Sequence, residues 1–218
     1  MQTLKLSPAM GLLLAGTALL SFVAIFLLVV VGAAFTPGYS HITQFVSELG
    51  ATGAPTEAWV RFGAFLPAGA LMLIFCWGAL RVLPRTGSVV LGLCGLALYA
   101  VGYLVATIFP CDLGCRPAAP SMSQLIHNLG GLVGYFVAPA SLFLLARDAR
   151  VWPGAARVVV AGYIAAAVAL AGLLTLSPTS PVVGISQRAL ELAVLGWVVM
   201  LGCYLLQQSR AQVQPLAV

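Results

Sequence analysis

Charged side chains are scarce in this sequence. Asp, Glu, Lys and Arg make up 7% of its 218 residues, whereas soluble domains carry roughly 25%. A chain with so few charges cannot cover a water-facing surface, which excludes a soluble globular protein. Hydrophobic residues account for 61% of the chain, and this composition indicates an integral membrane protein.

Several motifs that carry chemistry in other proteins are also missing. The sequence has no phosphate-binding glycine loop, no Cys-x-x-Cys pair, no dinucleotide-binding fingerprint and no Gly-x-Ser-x-Gly nucleophile motif. Basic and aromatic residues do not combine as they would along a nucleic-acid groove, so no nucleic acid is expected as a partner. The two histidines, His41 and His127, lack a tight spacing such as His-x-x-x-His.

The sequence does contain long apolar runs. A helix needs about 20 apolar residues to cross the hydrocarbon of a bilayer, and six stretches meet this length. They predict an all-α membrane protein, a six-helix bundle of three parallel hairpins in one integral-membrane domain over residues 1–218. The first run exceeds the apolar region of a signal peptide, about 7–15 residues, and is predicted to be an uncleaved span. The predicted spans cover residues 10–35, 62–80, 89–109, 125–146, 158–176 and 189–206.

Positive charge is distributed unevenly over the ends of these spans. Only Arg61, Arg116 and Arg188 fall at one set of ends. The opposite set carries Lys5, Arg81, Arg85, Arg147, Arg150, Arg157 and Arg210. Because Lys and Arg are enriched on the cytoplasmic side, we predict a protein of the cytoplasmic (inner) membrane with both termini in the cytoplasm. The predicted outer acids are Glu48, Glu57, Asp112 and Glu191.

The five cysteines divide by position. Three of them lie within predicted spans, where cysteine acts as a small apolar packing residue; these are Cys76, Cys94 and Cys203. Cys111 and Cys115 lie in the second outer loop and flank a short stretch that contains Gly114. An oxidising compartment favours a disulfide between them, and a free thiol pair or a metal site is the alternative.

Three segments of the sequence repeat one pattern of a hydroxyl residue, Gln, three variable residues, Glu or Asn, Leu and a small residue. They cover residues 43–50, 123–130 and 186–193. Each segment follows an apolar run that ends at a proline, and the repetition predicts three related hairpins with polar helix starts at the outer face.

The second and third copies of this pattern run directly into predicted spans. Ser123 and Ser186 are expected to be N-caps, since a hydroxyl satisfies a free backbone N–H. The Gln and the Asn or Glu of each copy are four residues apart and share one helix face. Arg188 and Glu191, three residues apart, are expected to pair.

The first copy lies in the longest outer loop. Apolar residues recur there at helical spacing at Ile42, Phe45, Val46 and Leu49. This stripe predicts a short amphipathic helix that lies in the outer membrane interface or covers the bundle as a lid.

Most polar side chains of the chain gather near the predicted outer surface. Ionisable groups at this depth are costly unless they face an interior or water, which predicts an outward-facing polar pocket; capping and interhelical hydrogen bonds are the structural alternative. The predicted ligand-binding residues are Glu48, Asp112, Gln124, His127, Asn128, Gln187, Arg188 and Glu191.

No cofactor and no catalytic residue is firmly predicted. His41 and His127 are candidate ligands for a divalent metal ion, together with Glu48, Asp112 or Glu191. A bis-histidine haem and a serine nucleophile beside His127 are further alternatives.

Four motifs in order resemble a bacterial and archaeal multi-pass family catalogued as domain of unknown function 998. They lie at residues 39–51, 109–115, 127–129 and 187–188, and the resemblance covers about residues 10–207. It implies a six-span membrane protein with no assigned chemistry. A weaker resemblance, to membrane hydrolases of the alkaline-ceramidase kind, would give Asp112 and His127 catalytic roles; those enzymes use three histidines and seven spans.

Together these features predict a membrane protein with an outward-facing polar pocket that binds or transports a lipid headgroup or a small polar solute. In this prediction Arg188 pairs an anionic group, while Glu48, Asp112 and Glu191 set the local charge. The alternatives are an accessory or structural subunit of a larger membrane complex and a metal-dependent lipid-modifying hydrolase. The expected partners are the lipid bilayer and, for the subunit, other membrane proteins.

Overall fold

The computed structural model describes residues 6–212, and this part of the chain forms helices and no strand. Six helices are long and apolar enough to cross a membrane, which confirms the predicted all-α membrane fold. They are α1 (Pro8–Ala34), α2 (Glu57–Val82), α3 (Gly87–Ile108), α4 (Met122–Ala149), α5 (Ala156–Thr175) and α6 (Val183–Ala211). Lys5, which contributes to the predicted orientation, lies outside the described residues.

The connections between these helices alternate between two ends of the bundle. Loop 1 (residues 35–56), loop 2 (109–121) and loop 3 (176–182) share one end, here called the loop end. The turns at residues 83–86 and 150–155 share the opposite end with most of the arginines. The loop end therefore carries the three repeats found in the sequence.

The six helices form a closed ring. Each helix packs against the next one in sequence, and α6 packs against α1. The ring closes where the backbone N–H of Leu6 donates to Oε1 of Gln212 at 3.3 Å. The division into three parallel hairpins stays a prediction, because α2 packs on α3 and α4 packs on α5 in the same manner.

Small residues bring α3 and α4 into close contact. A Cβ added at Gly134 would lie 3.0 Å from the Cα of Tyr99, and one at Gly130 would lie 2.6 Å from a methyl group of Val105. Gly131 differs from both, because a Cβ added there would meet no atom within 4 Å. This open space belongs to the candidate site.

Loop 1 differs from the predicted amphipathic helix. Only Val46–Gly50 is helical, as a short 3-10 helix. Phe45, the residue before this helix, has an extended backbone (φ −62°, ψ 148°), so the helix does not continue toward the N-terminus. Val46 and Leu49 are buried in the bundle, whereas Ile42 is exposed. Placement of this segment in the membrane interface stays a prediction.

The N-caps predicted at Ser123 and Ser186 are wrong, because both helices begin before these residues. The N-cap of α4 is Ser121, whose Oγ accepts the N–H of Gln124 at 3.1 Å. The Ser123 hydroxyl instead donates to the carbonyl of Pro110 at 2.7 Å. The Ser186 hydroxyl donates to the carbonyl of Val182, one turn back in the chain.

Candidate functional site

A cavity of about 250 Å³ lies between the helices at the loop end. Residues from α2, α3, α4 and α6 line it together with residues from all three loops. The predicted ligand-binding residues that line the cavity are His127, Asn128, Gln187 and Glu191. Those that lie outside its lining are Glu48, Asp112, Gln124 and Arg188.

Glu191 is the acidic residue of this lining. It lies on α6 and is only 2% exposed. Its Oε1 accepts the hydroxyl of Tyr135 at 2.7 Å and the amide N–H of Gln187 at 3.1 Å. Its Oε2 receives no hydrogen bond from any residue in the described part of the chain. One carboxylate oxygen is therefore available to a group inside the cavity.

Aromatic side chains form another part of the lining. The hydroxyls of Tyr99 and Tyr103 lie 2.9 Å apart on one face of α3. The ring centroid of Tyr99 lies 6.0 Å from that of Tyr135, and the Tyr103 centroid lies 6.0 Å from that of Phe65. These rings are not among the residues predicted from the sequence, although the spacing of four between Tyr99 and Tyr103 places both on one side of a helix.

A π-helical turn over Arg61–Phe65 lies within α2, and Phe65 at its end lines the cavity. The Arg61 side chain pairs with Glu57 at 2.6 Å and donates from Nε to the carbonyl of Thr107 at 2.9 Å. These bonds tie the widened turn to the end of α3. Such turns are frequent at functional sites.

The three sequence repeats share one structural device, here called the glutamine clamp. Each glutamine amide N–H donates to the Glu or Asn four residues later: Gln44 to Glu48 at 2.8 Å, Gln124 to Asn128 at 2.8 Å and Gln187 to Glu191 at 3.1 Å. Each amide oxygen accepts a backbone N–H: that of Ser40 at 2.7 Å, Asp112 at 2.8 Å and Val46 at 2.8 Å respectively. The shared helix face predicted for the second and third pairs is therefore confirmed, whereas Gln44 lies before the 3-10 helix that contains Glu48.

The glutamine clamps connect helices to loops. Gln187 joins α6 to loop 1, and Gln124 joins α4 to loop 2. Because Asn128 and Glu191 also line the cavity, each of these two clamps links a cavity wall to the loop that covers it.

Arg188 does not pair with Glu191, which corrects the prediction. Its Nη1 donates to the carbonyls of His41, Gln44 and Gly184 at 3.0, 3.1 and 2.9 Å. Its Nη2 donates to the hydroxyl of Tyr39. The side chain thus turns toward loop 1, while Glu191 turns toward Tyr135. Arg188 is outside the cavity lining and is not placed to receive an anionic group there.

The groups around Arg188 have shifted pKa values. Burial raises the pKa of Tyr39 to about 12, although the nearby guanidinium opposes this shift. Burial, and then the charge of Arg188, lower the pKa of His41 below its ordinary value. Tyr39 therefore stays a neutral hydroxyl at neutral pH, and His41 favours the uncharged ring.

His127 of α4 lines the cavity and has one ring nitrogen without a partner among the described residues. Its Nδ1 lies 3.0 Å from the carbonyl oxygen of Phe109. A carbonyl can only accept, so Nδ1 carries the proton and Nε2 of the neutral ring is an acceptor. Within residues 6–212, no group bonds to this Nε2.

Asp112 caps the segment before α4 and lies outside the cavity lining. Its carboxylate accepts the backbone N–H of Ser121 at 2.9 Å and the hydroxyl of the same residue at 2.7 Å. The backbone bond, followed by the hydroxyl bond, lowers the pKa of Asp112. The adjacent Cys111 forms the predicted disulfide with Cys115, and Cys115 lines the cavity.

No group of three or more His, Cys, Asp or Glu side chains in the described part of the chain could hold a metal ion. His41 contacts the ring of Tyr39, at 5.4 Å between centroids, whereas His127 is bonded to Phe109. The metal site built on these two histidines stays a prediction.

An apolar groove of about 880 Å³ lies beside the cavity, between α4 and α5. Its walls include Phe136 and Phe143 of α4 and Leu170 of α5. Leu132 and Leu176 line both the groove and the cavity. The polar cavity and the apolar groove are therefore neighbours that share part of their walls.

The arrangement of six spans can be compared with known proteins. The model of a family described as "Protein of unknown function (DUF998)" matches residues 11–204. The chain belongs to this family. Its membership confirms the resemblance drawn from the sequence motifs, but the family has no assigned function. No curated protein and no solved structure matches the chain. A function is therefore inferred from the geometry of the site.

Proposed function

We propose that this member of the family is a cytoplasmic-membrane protein that binds a membrane lipid at the loop end. The headgroup would lie in the 250 Å³ cavity, and one hydrocarbon chain would lie in the groove between α4 and α5. In this proposal His127, Asn128, Gln187 and Glu191 contact the headgroup. Glu48, Asp112, Gln124 and Arg188 hold the loops around it.

The shared walls of the cavity and the groove support this proposal. Leu132 and Leu176 line both spaces, so an amphiphile could fill them together. Ligand sites combine apolar walls with a few polar groups that fix orientation. A small polar solute would fill only the cavity, whereas a lipid would fill both the cavity and the groove. This difference favours a lipid.

The charge distribution supports a loop end that faces the outside, with both termini in the cytoplasm. The turn at residues 83–86 and the turn at 150–155 carry Arg85 and Arg150 respectively, and Lys and Arg are enriched in cytoplasmic loops. Loop 1 and the disulfide of loop 2 would then lie at the outer membrane interface.

Thiol labelling tests both the disulfide and this orientation. In a variant whose Cys76, Cys94 and Cys203 are replaced by alanine, a membrane-impermeant maleimide should label intact cells only after reduction. This result is expected because Cys111 and Cys115 are bonded to each other at the end proposed to face out. Labelling before reduction would contradict the disulfide. Labelling that appears only after the cells are lysed would place the loop end in the cytoplasm.

A substitution at Gly131 tests lipid binding in the cavity. A Cβ added at Gly131 would meet no atom within 4 Å, and Gly131 lines the cavity, so Gly131→Leu adds a bulky side chain to the cavity wall at a position that is not tightly packed. We expect the purified variant to bind lipid roughly tenfold more weakly than the wild type and to retain correspondingly less of it, because overfilling a site costs roughly 1–3 kcal/mol. Bound lipid would be extracted from the detergent-purified protein and quantified by mass spectrometry.

Gly16→Leu is the matched control. Gly16 also lies in a span, and a Cβ added there meets no atom within 4 Å, but Gly16 is not in the cavity lining. This variant should keep the wild-type amount of lipid. Equal retention by the Gly131 and Gly16 variants would overturn the proposed lipid site.

A further inference from the structure

The charges of the cavity lining indicate which class of ligand the cavity can bind. Glu191 is the acid among the lining residues, and no Lys or Arg of residues 6–212 joins it there. Arg188, the nearest candidate cation in the sequence, is bonded to carbonyls of loop 1. The lining therefore lacks the guanidinium or ammonium groups that recognise phosphate and other anions.

The free oxygen of Glu191 points to a positively charged partner. A buried carboxylate is costly unless it is paired or fully hydrogen-bonded. Oε1 has two donors, Tyr135 and Gln187, whereas Oε2 has none among the described residues. Among the described residues, Arg188 Nε is the side-chain nitrogen or oxygen that is fully buried and has no hydrogen-bond partner. Glu191 Oε2 also has no partner, so it is not fully buried.

Aromatic rings line the same cavity as this carboxylate. Tyr99, Tyr103, Tyr135 and Phe65 all line the cavity, and their neighbouring ring centroids lie between 5.4 and 6.0 Å apart. The faces of such rings attract ammonium groups, and clusters of them recognise quaternary amines. The combination of one carboxylate oxygen with several rings suits a cation, and no Lys or Arg of the described residues lines the cavity to pair with an anion.

We propose that the lipid bound at this site carries an ammonium headgroup, which pairs with Glu191 Oε2 among the rings of Phe65, Tyr99, Tyr103 and Tyr135. This inference rests on the proposed lipid site and adds the class of headgroup. His127 Nε2 and Asn128, which also line the cavity, provide acceptor atoms for N–H groups of a primary amine.

Binding to lysolipids of equal chain length tests the headgroup. Purified protein in detergent would be titrated with lysophosphatidylethanolamine, lysophosphatidylcholine and lysophosphatidylglycerol, and binding would be followed by native mass spectrometry. The wild type should bind the two ammonium lipids at least about tenfold more tightly than the glycerol lipid, as expected for a desolvated cation held by rings and a carboxylate. Glu191→Gln should lose this preference and retain the weaker binding common to all three lipids.

Two outcomes separate this inference from the proposed function. If Gly131→Leu weakens binding of all three lipids but the wild type ranks them equally, the lipid site stands and the ammonium inference is overturned. If the wild type binds none of the lipids above the level of Gly131→Leu, the lipid site itself is overturned.

A competition experiment uses the wild-type protein alone and does not depend on the folding of Glu191→Gln. Tetramethylammonium chloride should displace bound lysophosphatidylethanolamine, whereas sodium chloride of equal concentration should not. Equal displacement by the two salts would contradict an ammonium site. Binding of tetramethylammonium without any dependence on lipid would assign the cavity to a free amine instead of a lipid headgroup.

Discussion

Replacing Arg188 with methionine is expected to lower the free energy of unfolding by about 3 kcal/mol, because buried acceptors that lose a charged donor are costly. The guanidinium donates hydrogen bonds to the carbonyls of His41, Gln44 and Gly184 and to the hydroxyl of Tyr39. Methionine keeps the length and apolar stem of arginine but donates nothing. The melting temperature of the purified protein in detergent should therefore fall by roughly 10 °C.

Arg116→Met is the matched control for this prediction. Arg116 also donates to a carbonyl of loop 1, that of Thr43 at 2.8 Å, and lies 3.8 Å from Glu48. Its side chain is 36% exposed, and exposed ion pairs contribute about 1 kcal/mol or less. The control should melt within roughly 3 °C of the wild type. Equal losses in the two variants would contradict the role assigned to Arg188.

Gly184→Ala is expected to destabilise the protein by about 2–3 kcal/mol, because added atoms in a packed contact force the backbone apart. A Cβ at this position would lie 2.5 Å from the carbonyl oxygens of both Gln44 and His41. These oxygens belong to the backbone and cannot rotate away as a side chain can. The backbone N–H of Gly184 also donates to the carbonyl of Ile42 at 2.9 Å, so the same substitution should loosen loop 1 from α6.

Gly196→Ala on the same helix should act in the opposite direction. A Cβ at Gly196 meets no atom within 4 Å, and alanine favours a helix over glycine by up to about 1 kcal/mol. Thermal denaturation of the two variants in the same detergent checks both signs. Hydrogen exchange would add the local readout, with faster exchange of loop 1 in Gly184→Ala alone. If the Gly184→Ala protein were as stable as the wild type, close packing at Gly184 would not be what holds loop 1 on α6.

The six spans could be predicted because burial in lipid requires long apolar runs. The predicted ends were less accurate where polar residues continue a helix. The last span was predicted for residues 189–206, but α6 covers Val183–Ala211. Gln187, Arg188 and Glu191 lie in its first turns and lower the local hydropathy, although their backbone is helical.

The candidate site was predicted only in part. The repeats correctly paired Gln187 with Glu191, because residues four apart on a helix must share a face. The direction of Arg188 could not be predicted, since its partners His41 and Gln44 lie 147 and 144 residues away in the sequence. Tyr99 and Tyr135 were missed because an aromatic residue within a span could equally face lipid or packed helices.

The contact between α6 and α1 would allow the protein to be circularly permuted. Leu6 and Gln212 are hydrogen-bonded to each other, so a short peptide could join them. New ends could then be opened in the turn at residues 83–86 while every helix keeps its neighbours. The order in which the helices leave the ribosome would change, but the arrangement they reach would not, and such a circular permutant would separate insertion order from final structure.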